Sequence, residues 1–195
     1  MARRQLVAVL GSVSAPGRLH RALTEALDRL EAVDSTLIDL GTRRLSFADG
    51  RPVDDYGDDT AATVEAIATA DGVLLATPVY RASYTGSLKN LLDLLPVETL
   101  CGKPVAITSM GATQHHHLGV DWQLREVLTW FGALTLPTSV YLTSQDFVSG
   151  SPNPGAASAL DQLLEGLVTL CGHASGQQVG PLPLAAAWMA KPKSP

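Results

Sequence analysis

Three short segments of the sequence place small, hydroxylated and charged side chains at the ends of predicted strands. The first runs from Gly11 to Arg18 and offers the hydroxyl groups of Ser12 and Ser14 with the guanidinium of Arg18. It leads into a predicted helix, and the free N–H groups and positive dipole at a helix N-terminus suit a phosphate group. Neither the G-x-G-x-x-G motif nor the Gly-Lys-Ser/Thr ending of a Walker A loop is present. The segment predicts a phosphate site of another type, and an ordinary strand-to-helix turn is an equally good interpretation of it alone.

The second segment reads TPVYRASYTGSLKN and begins at Thr77. Pro78 restricts Thr77 to an extended conformation and fixes its own φ, which directs the backbone of Val79 and Tyr80 beyond the edge of the sheet. A backbone edge beside the Tyr80 ring is suited to bind and flank a flat heteroaromatic group. Tyr84 has two interpretations that stay open at this point, a second wall of such a site or a core residue.

The third segment, from Ser109 to Gln114, consists mainly of small residues, and its glycine allows the backbone to approach a ligand closely. Three histidines, from His115 to His117, follow directly. Because adjacent side chains of an extended loop point in alternate directions, the three cannot form one tetrahedral metal site. No metal site is predicted, and one of the three histidines lining a ligand cleft is the preferred interpretation.

Alternating strand and helix patterns determine where these segments lie. The predicted strands are Gln5–Leu10, Ser35–Leu40, Gly72–Thr77, Pro104–Ser109 and Leu134–Leu142. The predicted helices are Arg18–Leu30, Thr60–Ala70, Ser87–Leu95, Val120–Phe131 and Ala156–Cys171. This order predicts an α/β fold with a doubly wound five-stranded parallel sheet and helices on both faces. The three segments follow strands one, three and four and therefore meet at the carboxyl edge, where such sheets bind ligands.

Composition limits the classes of protein. With 195 residues, 46% of them hydrophobic and 17% charged, the chain suits one globular domain. We expect this domain to cover residues 1–172 and residues 173–195 to form a Pro-rich apolar tail, which packs either on its own domain or on a neighbouring subunit. The net charge of -5 and the lack of a basic face predict no nucleic-acid partner.

The location of the protein follows from other features. No run is long enough to span a bilayer, and the start is not that of a signal peptide, so we expect no membrane partner. Cys101 and Cys171 lack metal-type spacing and are interpreted as small, buried or half-buried thiols in a reducing compartment. The predicted location is the cytoplasm.

Three stretches together resemble the NADPH-dependent FMN reductase family, which has a flavodoxin-like fold. They are Ala70–Pro96, Gly102–Thr113 and His117–Leu128. The likeness is greatest to the flavin reductases of two-component sulfonate and alkanesulfonate monooxygenase systems, and it covers roughly residues 5–170. It is specific in the second and third segments and looser in the first.

The resemblance implies which residues bind FMN. The first segment matches the phosphate-binding positions, the second those along the isoalloxazine ring and ribityl chain, and the third those at the other side of the ring. The matching residues are Ser12, Gly17, Arg18, Leu19, Pro78, Val79, Tyr80, Arg81, Ser109, Gly111, Ala112 and Thr113. Many relatives carry several hydroxylated residues in the first segment where this chain has Leu19, His20 and Arg21. Arg18 and His20 are the candidates to compensate.

Trp122 occupies a position where the sulfonate-system reductases carry a tyrosine. The resemblance implies that this residue lies in a tetramer interface and distorts its helix into a π-bulge, a feature often found at functional sites. An inserted Trp122 ring is therefore one hypothesis. A core or interface tryptophan is the other.

The resemblance implies an NAD(P)H:FMN oxidoreductase, a homo-oligomer (dimer or tetramer) that transfers hydride from NADPH or NADH to N5 of FMN. The flavin, held as substrate or as bound group, performs the chemistry, so no catalytic side chain is assigned. Reduced FMN is expected to pass to a flavin-dependent monooxygenase. One alternative is an FMN-retaining quinone, azo-dye or metal-ion reductase. The other is a non-enzymatic flavodoxin-like carrier, disfavoured because flavodoxins have a longer Ser/Thr-rich loop and a strongly acidic composition.

Overall fold

The computed structural model describes residues 3–31, 33–174 and 179–183. The strands are β1 (Gln5–Leu10), β2 (Asp34–Asp39), β3 (Gly72–Pro78), β4 (Pro104–Met110), β5 (Leu134–Thr135), β6 (Val140–Leu142), β7 (Phe147–Val148) and β8 (Ser151–Pro152). The helices are α1 (Arg18–Asp28), α2 (Thr60–Thr69), α3 (Gly86–Leu94), α4 (Gly119–Phe131) and α5 (Pro154–Ala174). Apart from the fifth predicted strand, each predicted boundary lies within three residues of the observed one.

The central sheet is parallel, with the strand order β2-β1-β3-β4-β5. β1 lies between β2 and β3, so that Ala8 pairs with Leu37 on one side and Leu74 on the other. β3 pairs with β4, and Thr77 lies opposite Ser109. The carboxyl ends of β1, β3 and β4 are therefore side by side. The predicted doubly wound, flavodoxin-like α/β sheet is confirmed.

The fifth strand differs from its prediction because it is broken. Instead of one strand from Leu134 to Leu142, β5 pairs with the start of β4 and β6 pairs with its end. Pro137 lies in the gap, and a proline has no N–H to donate to a neighbouring strand. Arg125 of α4 donates hydrogen bonds to the carbonyls of Leu136 at 2.7 Å and Pro137 at 3.2 Å, which satisfies the interrupted backbone.

Helices cover both faces of the sheet, and each face has its own apolar core. Leu6, Ala8 and Leu10 of β1 pack under α1 and α5, whereas Val7 and Val9 pack under α2, α3 and α4. A strand that is buried on both faces needs apolar residues at every position. This explains why the segment QLVAVL shows no alternation of polar and apolar residues.

Most of the predicted tail, including its residues from 184 onwards, lies outside the described residues. Within the described part, Pro183 contacts the chain's own domain: a Cβ built on Gly132 would lie 2.4 Å from Pro183 Cγ. Among the helices that the structure describes, none is both long and apolar enough to cross a membrane.

Candidate functional site

The first loop, between β1 and α1, is fixed at its start by close packing. The Gly11 N–H donates to the Ala76 carbonyl of β3 at 2.7 Å. A Cβ on Gly11 would lie 2.7 Å from Leu88 Cβ of α3. Only glycine therefore allows the chain to leave β1 this close to α3. The Gly11 hydrogen bond also holds the beginning of the first loop against β3.

The N-terminus of α1 is open to a ligand. Its N-cap residue, Gly17, has no capping side chain, and the first turn contains no acidic residue. The first N–H groups of a helix have no partner within it, so they and the positive end of the dipole are available for an anion. Arg18 is exposed beside them, whereas the Leu19 side chain is buried in the core. Leu19 can therefore offer a ligand only its backbone N–H.

Two serines connect the first loop to the second. The Ser12 hydroxyl accepts a hydrogen bond from the Ser14 N–H at 3.3 Å, and the Ser14 hydroxyl lies 3.4 Å from the Tyr80 hydroxyl. Tyr80 is 51% exposed at the carboxyl edge of the sheet. The predicted phosphate segment and the predicted ring segment are thus adjacent.

The second loop contains a strained two-residue turn. Tyr80 and Ser83 exchange backbone hydrogen bonds of 2.9 and 3.1 Å, and the two residues between them have positive φ, 54° at Arg81 and 62° at Ala82. Such turns favour glycine and asparagine, because a left-handed conformation costs other residues about 1–2 kcal/mol each. Gln123 of α4 supports the turn through its contacts with Ser83 and the Ala82 carbonyl. Tyr80 and Arg81 are both exposed at this turn.

An Ala82→Gly variant should relieve part of this strain. We expect the free energy of unfolding to rise by about 0.5–1 kcal/mol, because the relief exceeds the extra backbone entropy of glycine in the unfolded chain. Chemical denaturation measures the change. Ala15→Gly, in an exposed loop with ordinary φ, is the matched control and should lower stability. Equal destabilisation by both substitutions would show that the turn is unstrained.

A residue that sequence reasoning missed, Thr85, connects the first two loops. It is the N-cap of α3, is 4% exposed, and its hydroxyl accepts from the Leu88 N–H at 3.2 Å. The same hydroxyl donates to the Gly11 carbonyl. The Thr85 N–H donates to the Thr77 hydroxyl at 3.2 Å, which in turn donates to the Pro78 carbonyl at 2.9 Å. The sequence signal was present, since threonine directly before an apolar helical run is a typical N-cap.

Two other residues of the second segment belong to the structural frame. Tyr84 is partly buried and packs against the core beneath α3 and α4, which favours the interpretation as a core residue. Lys89 forms an ion pair with Asp93 one turn later in α3, with an N–O distance of 2.6 Å. Tyr80 is the more exposed of the two tyrosines of this segment.

The third loop is held by Tyr141 of β6, a second residue that sequence reasoning missed. The Tyr141 hydroxyl donates to the Thr113 carbonyl at 2.6 Å, and the Gly111 N–H donates to the Leu142 carbonyl at 2.9 Å. A Cβ on Gly111 would lie 1.9 Å from the Tyr141 hydroxyl oxygen, so the ring occupies the space that only a glycine leaves. Burial raises the pKa of Tyr141, which keeps the phenol protonated as a donor.

The second and third loops meet directly. The Val79 N–H donates to the Met110 carbonyl at 2.8 Å. Ser109 is buried at the end of β4, whereas Ala112 and Thr113 are exposed. The structure therefore brings residues of all three segments to one edge, with Leu19 and Ser109 turned into the protein.

The three histidines lie on an exposed short turn after this loop. His117 Nδ1 lies 3.2 Å from the Gln114 carbonyl oxygen. Within the described part of the chain, no three His, Cys, Asp or Glu side chains are grouped so that they could hold a metal ion.

Trp122 lies in regular α-helix. Its N–H donates to the Leu118 carbonyl four residues earlier at 2.9 Å, which is the α-helical pattern and not that of a π-bulge. The side chain is 69% exposed, so the core interpretation is wrong as well. Leu118, the N-cap of α4 one turn before Trp122, is also exposed, as is Trp130 two turns after it, with the exposed Glu126 between the two tryptophans.

The site fits a flat ligand that carries a phosphate. The donors suited to a phosphate dianion are the uncapped helix end, the hydroxyl groups of Ser12 and Ser14, and the Arg18 guanidinium, which has no partner among the residues that the structure describes. At the same edge of the sheet lie the exposed Tyr80 and the close-packed third loop with Gly111, which offer a ring and backbone groups to a flat ligand. A phosphorylated heteroaromatic cofactor such as FMN matches both parts.

The family is decided by the sequence of this region. Residues 4–147 match the family model described as NADPH-dependent FMN reductase. The chain belongs to this family. It is 38% identical over 148 residues to the NADH-dependent FMN reductase SfnF of Pseudomonas fluorescens, covering 73% of this chain and 78% of that one. The residues matched by the family model include all three loops.

Solved structures agree with this assignment. An NADH:FMN oxidoreductase named EMOB, in its apo form, aligns with a TM-score of 0.67 and 28% identity, covering 89% of this chain and 91% of that one. A flavodoxin from the domain Archaea aligns with a TM-score of 0.58 and 11% identity, covering 87% and 98%, which shows the common fold alone.

Proposed function

We propose that the carboxyl edge of the sheet is the FMN site of an NAD(P)H-dependent FMN reductase, and that the three loops hold one flavin between them. The observation that carries this proposal is the meeting of three loops of the family region at one edge, beside an uncapped helix N-terminus. Hydrogen bonds of 2.7 to 3.4 Å join the loops. These contacts keep the three loops adjacent, which supports the proposal.

The first loop is proposed to hold the FMN phosphate. Ser12 supplies a hydroxyl donor, and the first-turn N–H groups, including that of Leu19, supply backbone donors. Gly17 has no side chain that could cover the helix end. The space beside it is open, since a Cβ built on Gly17 would meet only the Ala15 carbonyl oxygen, at 3.9 Å. Arg18 is exposed, and in the described structure its guanidinium has no partner, so it is free to pair with the phosphate.

The second and third loops are proposed to hold the ring. Pro78 and Val79 present backbone at the sheet edge, and Tyr80 lies across from the first loop. On the other side, the backbone of the third loop from residue 109 to residue 113 forms the opposite wall. The Arg81 guanidinium adds positive charge at the edge of the ring, which favours electron-rich forms of a bound heteroaromatic group.

The chemistry of the reaction belongs to the cofactor: bound FMN supplies N5, which accepts a hydride from the nicotinamide of NADPH or NADH. The chain's own residues bind, orient and shield it. Thr85 and Tyr141 act as positioning residues, because each holds a loop of the site through its hydroxyl group. No side chain is required to accept or donate a proton during hydride transfer.

We propose reduced FMN as the product that leaves the enzyme for a flavin-dependent monooxygenase. The resemblance to reductases of two-component sulfonate systems supports this role. It also favours a reductase of free FMN over a flavin-retaining quinone, azo-dye or metal-ion reductase. The names of SfnF, an FMN reductase, and EMOB, an NADH:FMN oxidoreductase, favour the same choice. The proposed location is the cytoplasm, where free thiols such as Cys101 and Cys171 stay reduced.

Steady-state kinetics on desalted protein test the proposal. We expect NAD(P)H oxidation to depend on added FMN and to saturate with it, while gel filtration removes flavin from the protein. A yellow protein that keeps FMN and does not turn over added FMN would support the flavin-retaining alternative instead. A protein that exchanges electrons with a redox partner but oxidises no NAD(P)H would support the electron carrier.

The exposed face of α4 around Leu118 and Trp122 is proposed to lie in a homo-oligomer interface. Exposed tryptophan and leucine side chains one turn apart are costly to leave in water, and tryptophan is enriched at interface centres. Trp122→Glu should therefore shift the protein towards smaller species in sedimentation velocity runs. Val148→Glu, which changes an exposed apolar residue elsewhere, is the control and should leave the mass unchanged. An unaltered mass for both variants would contradict the interface.

A further inference from the structure

A cleft beside the first loop is not used by the flavin site. Its volume is about 380 Å³, within the range of small-molecule sites. It lies between the end of β2, the loop that follows β2, and the start of α3. Lining residues include Val13, Arg43, Leu45, Phe47, Ser87 and Asn90.

The loop after β2 holds Phe47 in an exposed position. The Asn90 side chain clamps the residues on both sides of it, donating to the Ser46 carbonyl at 2.9 Å and accepting from the Ala48 N–H at 3.0 Å. The Ser46 N–H also donates to Asp58 at 2.8 Å. Despite this fixed backbone, the Phe47 side chain is 85% exposed. The loop therefore presents an aromatic ring on a rigid support at the mouth of the cleft.

The cleft also contains an unused positive charge. Within the described residues, the guanidinium of Arg43 has neither an ion pair nor a hydrogen bond. The arginines at 29, 51 and 125, in contrast, are each paired with an aspartate. An unpaired guanidinium beside an exposed ring suits a ligand with a phosphate and a flat aromatic group.

The cleft and Tyr80 of the proposed flavin site both border the first loop. Val13, which lines the cleft, precedes Ser14, whose hydroxyl lies 3.4 Å from the Tyr80 hydroxyl. A dinucleotide with its nicotinamide at Tyr80 can thus extend across the tip of the first loop towards Phe47. Nicotinamide dinucleotides carry an adenosine and phosphates at the end remote from the hydride.

We propose that this cleft binds the adenosine phosphate half of NAD(P)H, with Phe47 stacking on the adenine and Arg43 pairing with a phosphate. This inference rests on the proposed function, because it takes the reductant of that reaction as its ligand. It assigns the loop after β2 to the reductant and the loops after β1, β3 and β4 to the flavin.

Calorimetric titration of 2′,5′-ADP and 5′-ADP tests the cleft without any turnover. We expect Phe47→Ala and Arg43→Gln each to weaken binding of these nucleotides by about tenfold or more. FMN affinity should stay at the wild-type value in both variants. Arg44→Gln, an exposed neighbour that does not line the cleft, and Val148→Ala are the matched controls and should bind as wild type does. Wild-type nucleotide affinity in both cleft variants would overturn the proposal.

Kinetics with a truncated reductant provide a second test of the cleft. Reduced nicotinamide mononucleotide lacks the adenosine half, so the two variants should raise KM for NAD(P)H about tenfold and leave KM for the mononucleotide unchanged. Equal losses with both donors, accompanied by a smaller sedimenting mass, would assign the cleft to a subunit interface and overturn the proposal. If the wild type reduces FMN with neither donor, the proposed function fails, and the ADP titration still decides the cleft.

Discussion

Replacing Gly111 with alanine is expected to lower FMN affinity by about tenfold, equivalent to 1.4 kcal/mol, and stability by about 1–3 kcal/mol. The added Cβ would lie 1.9 Å from the Tyr141 hydroxyl oxygen and 2.9 Å from Cζ of that ring. The ring must therefore move, and its 2.6 Å hydrogen bond to the Thr113 carbonyl is lost. Because this bond holds the third loop against the site, the loss reaches the flavin as well as the fold.

FMN titration and chemical denaturation measure the two effects of Gly111→Ala. Gly155→Ala is the matched control, since its nearest contact would be 3.4 Å away and alanine favours the helix in which it lies. A second variant, Gly111→Ala with Tyr141→Phe, should recover part of the lost stability because the clashing oxygen is gone. If Gly111→Ala binds FMN and unfolds like the wild type, the third loop is not held as described.

The second large effect is expected for Thr85→Ala. It removes an N-cap, which is worth about 1 kcal/mol, and leaves the buried Gly11 carbonyl without its donor, which costs about 1–3 kcal/mol. We therefore expect stability to fall by about 2–4 kcal/mol. FMN affinity should fall too, because the Thr85 hydroxyl holds the start of the phosphate loop to α3.

Thr85→Ser is the conservative control, because serine keeps the hydroxyl that caps α3 and reaches Gly11. It should retain most of the stability and FMN affinity of the wild type in the same two measurements. A variant series in which alanine and serine behave alike would contradict the assigned role. A stability loss without any change in FMN affinity would limit Thr85 to capping and separate it from the phosphate loop.

Local sequence patterns predicted most of the strands and helices and their arrangement in the sheet. β3 is apolar on both faces, and the structure places it at the centre of the sheet between β1 and β4. The three loops share one edge because parallel strands put their carboxyl ends together. The N-cap of α3 could also have been predicted, because Thr85 stands directly before a helical run and threonine is a typical N-cap residue.

Other features depend on contacts or strain that local patterns do not contain. Tyr141 holds a loop 28 residues away, and no spacing in the sequence connects it with Thr113. Arg81 and Ala82 adopt a conformation that their own preferences oppose, which is stable only because α4 supports the turn. The bulge expected at Trp122 followed from resemblance alone, and the backbone there has ordinary α-helical bonding.

The central claim, a flavin whose phosphate lies at the open end of α1, is tested most directly by comparing FMN with riboflavin, which has no phosphate. Calorimetry should show that the wild type prefers FMN, and that Arg18→Ala weakens FMN binding by about 1.5–3 kcal/mol while leaving riboflavin binding unchanged. Arg21→Ala, one turn later and paired with Glu25, serves as the control. Equal loss of both ligands in Arg18→Ala, or no loss of either, would contradict the assignment of the phosphate site.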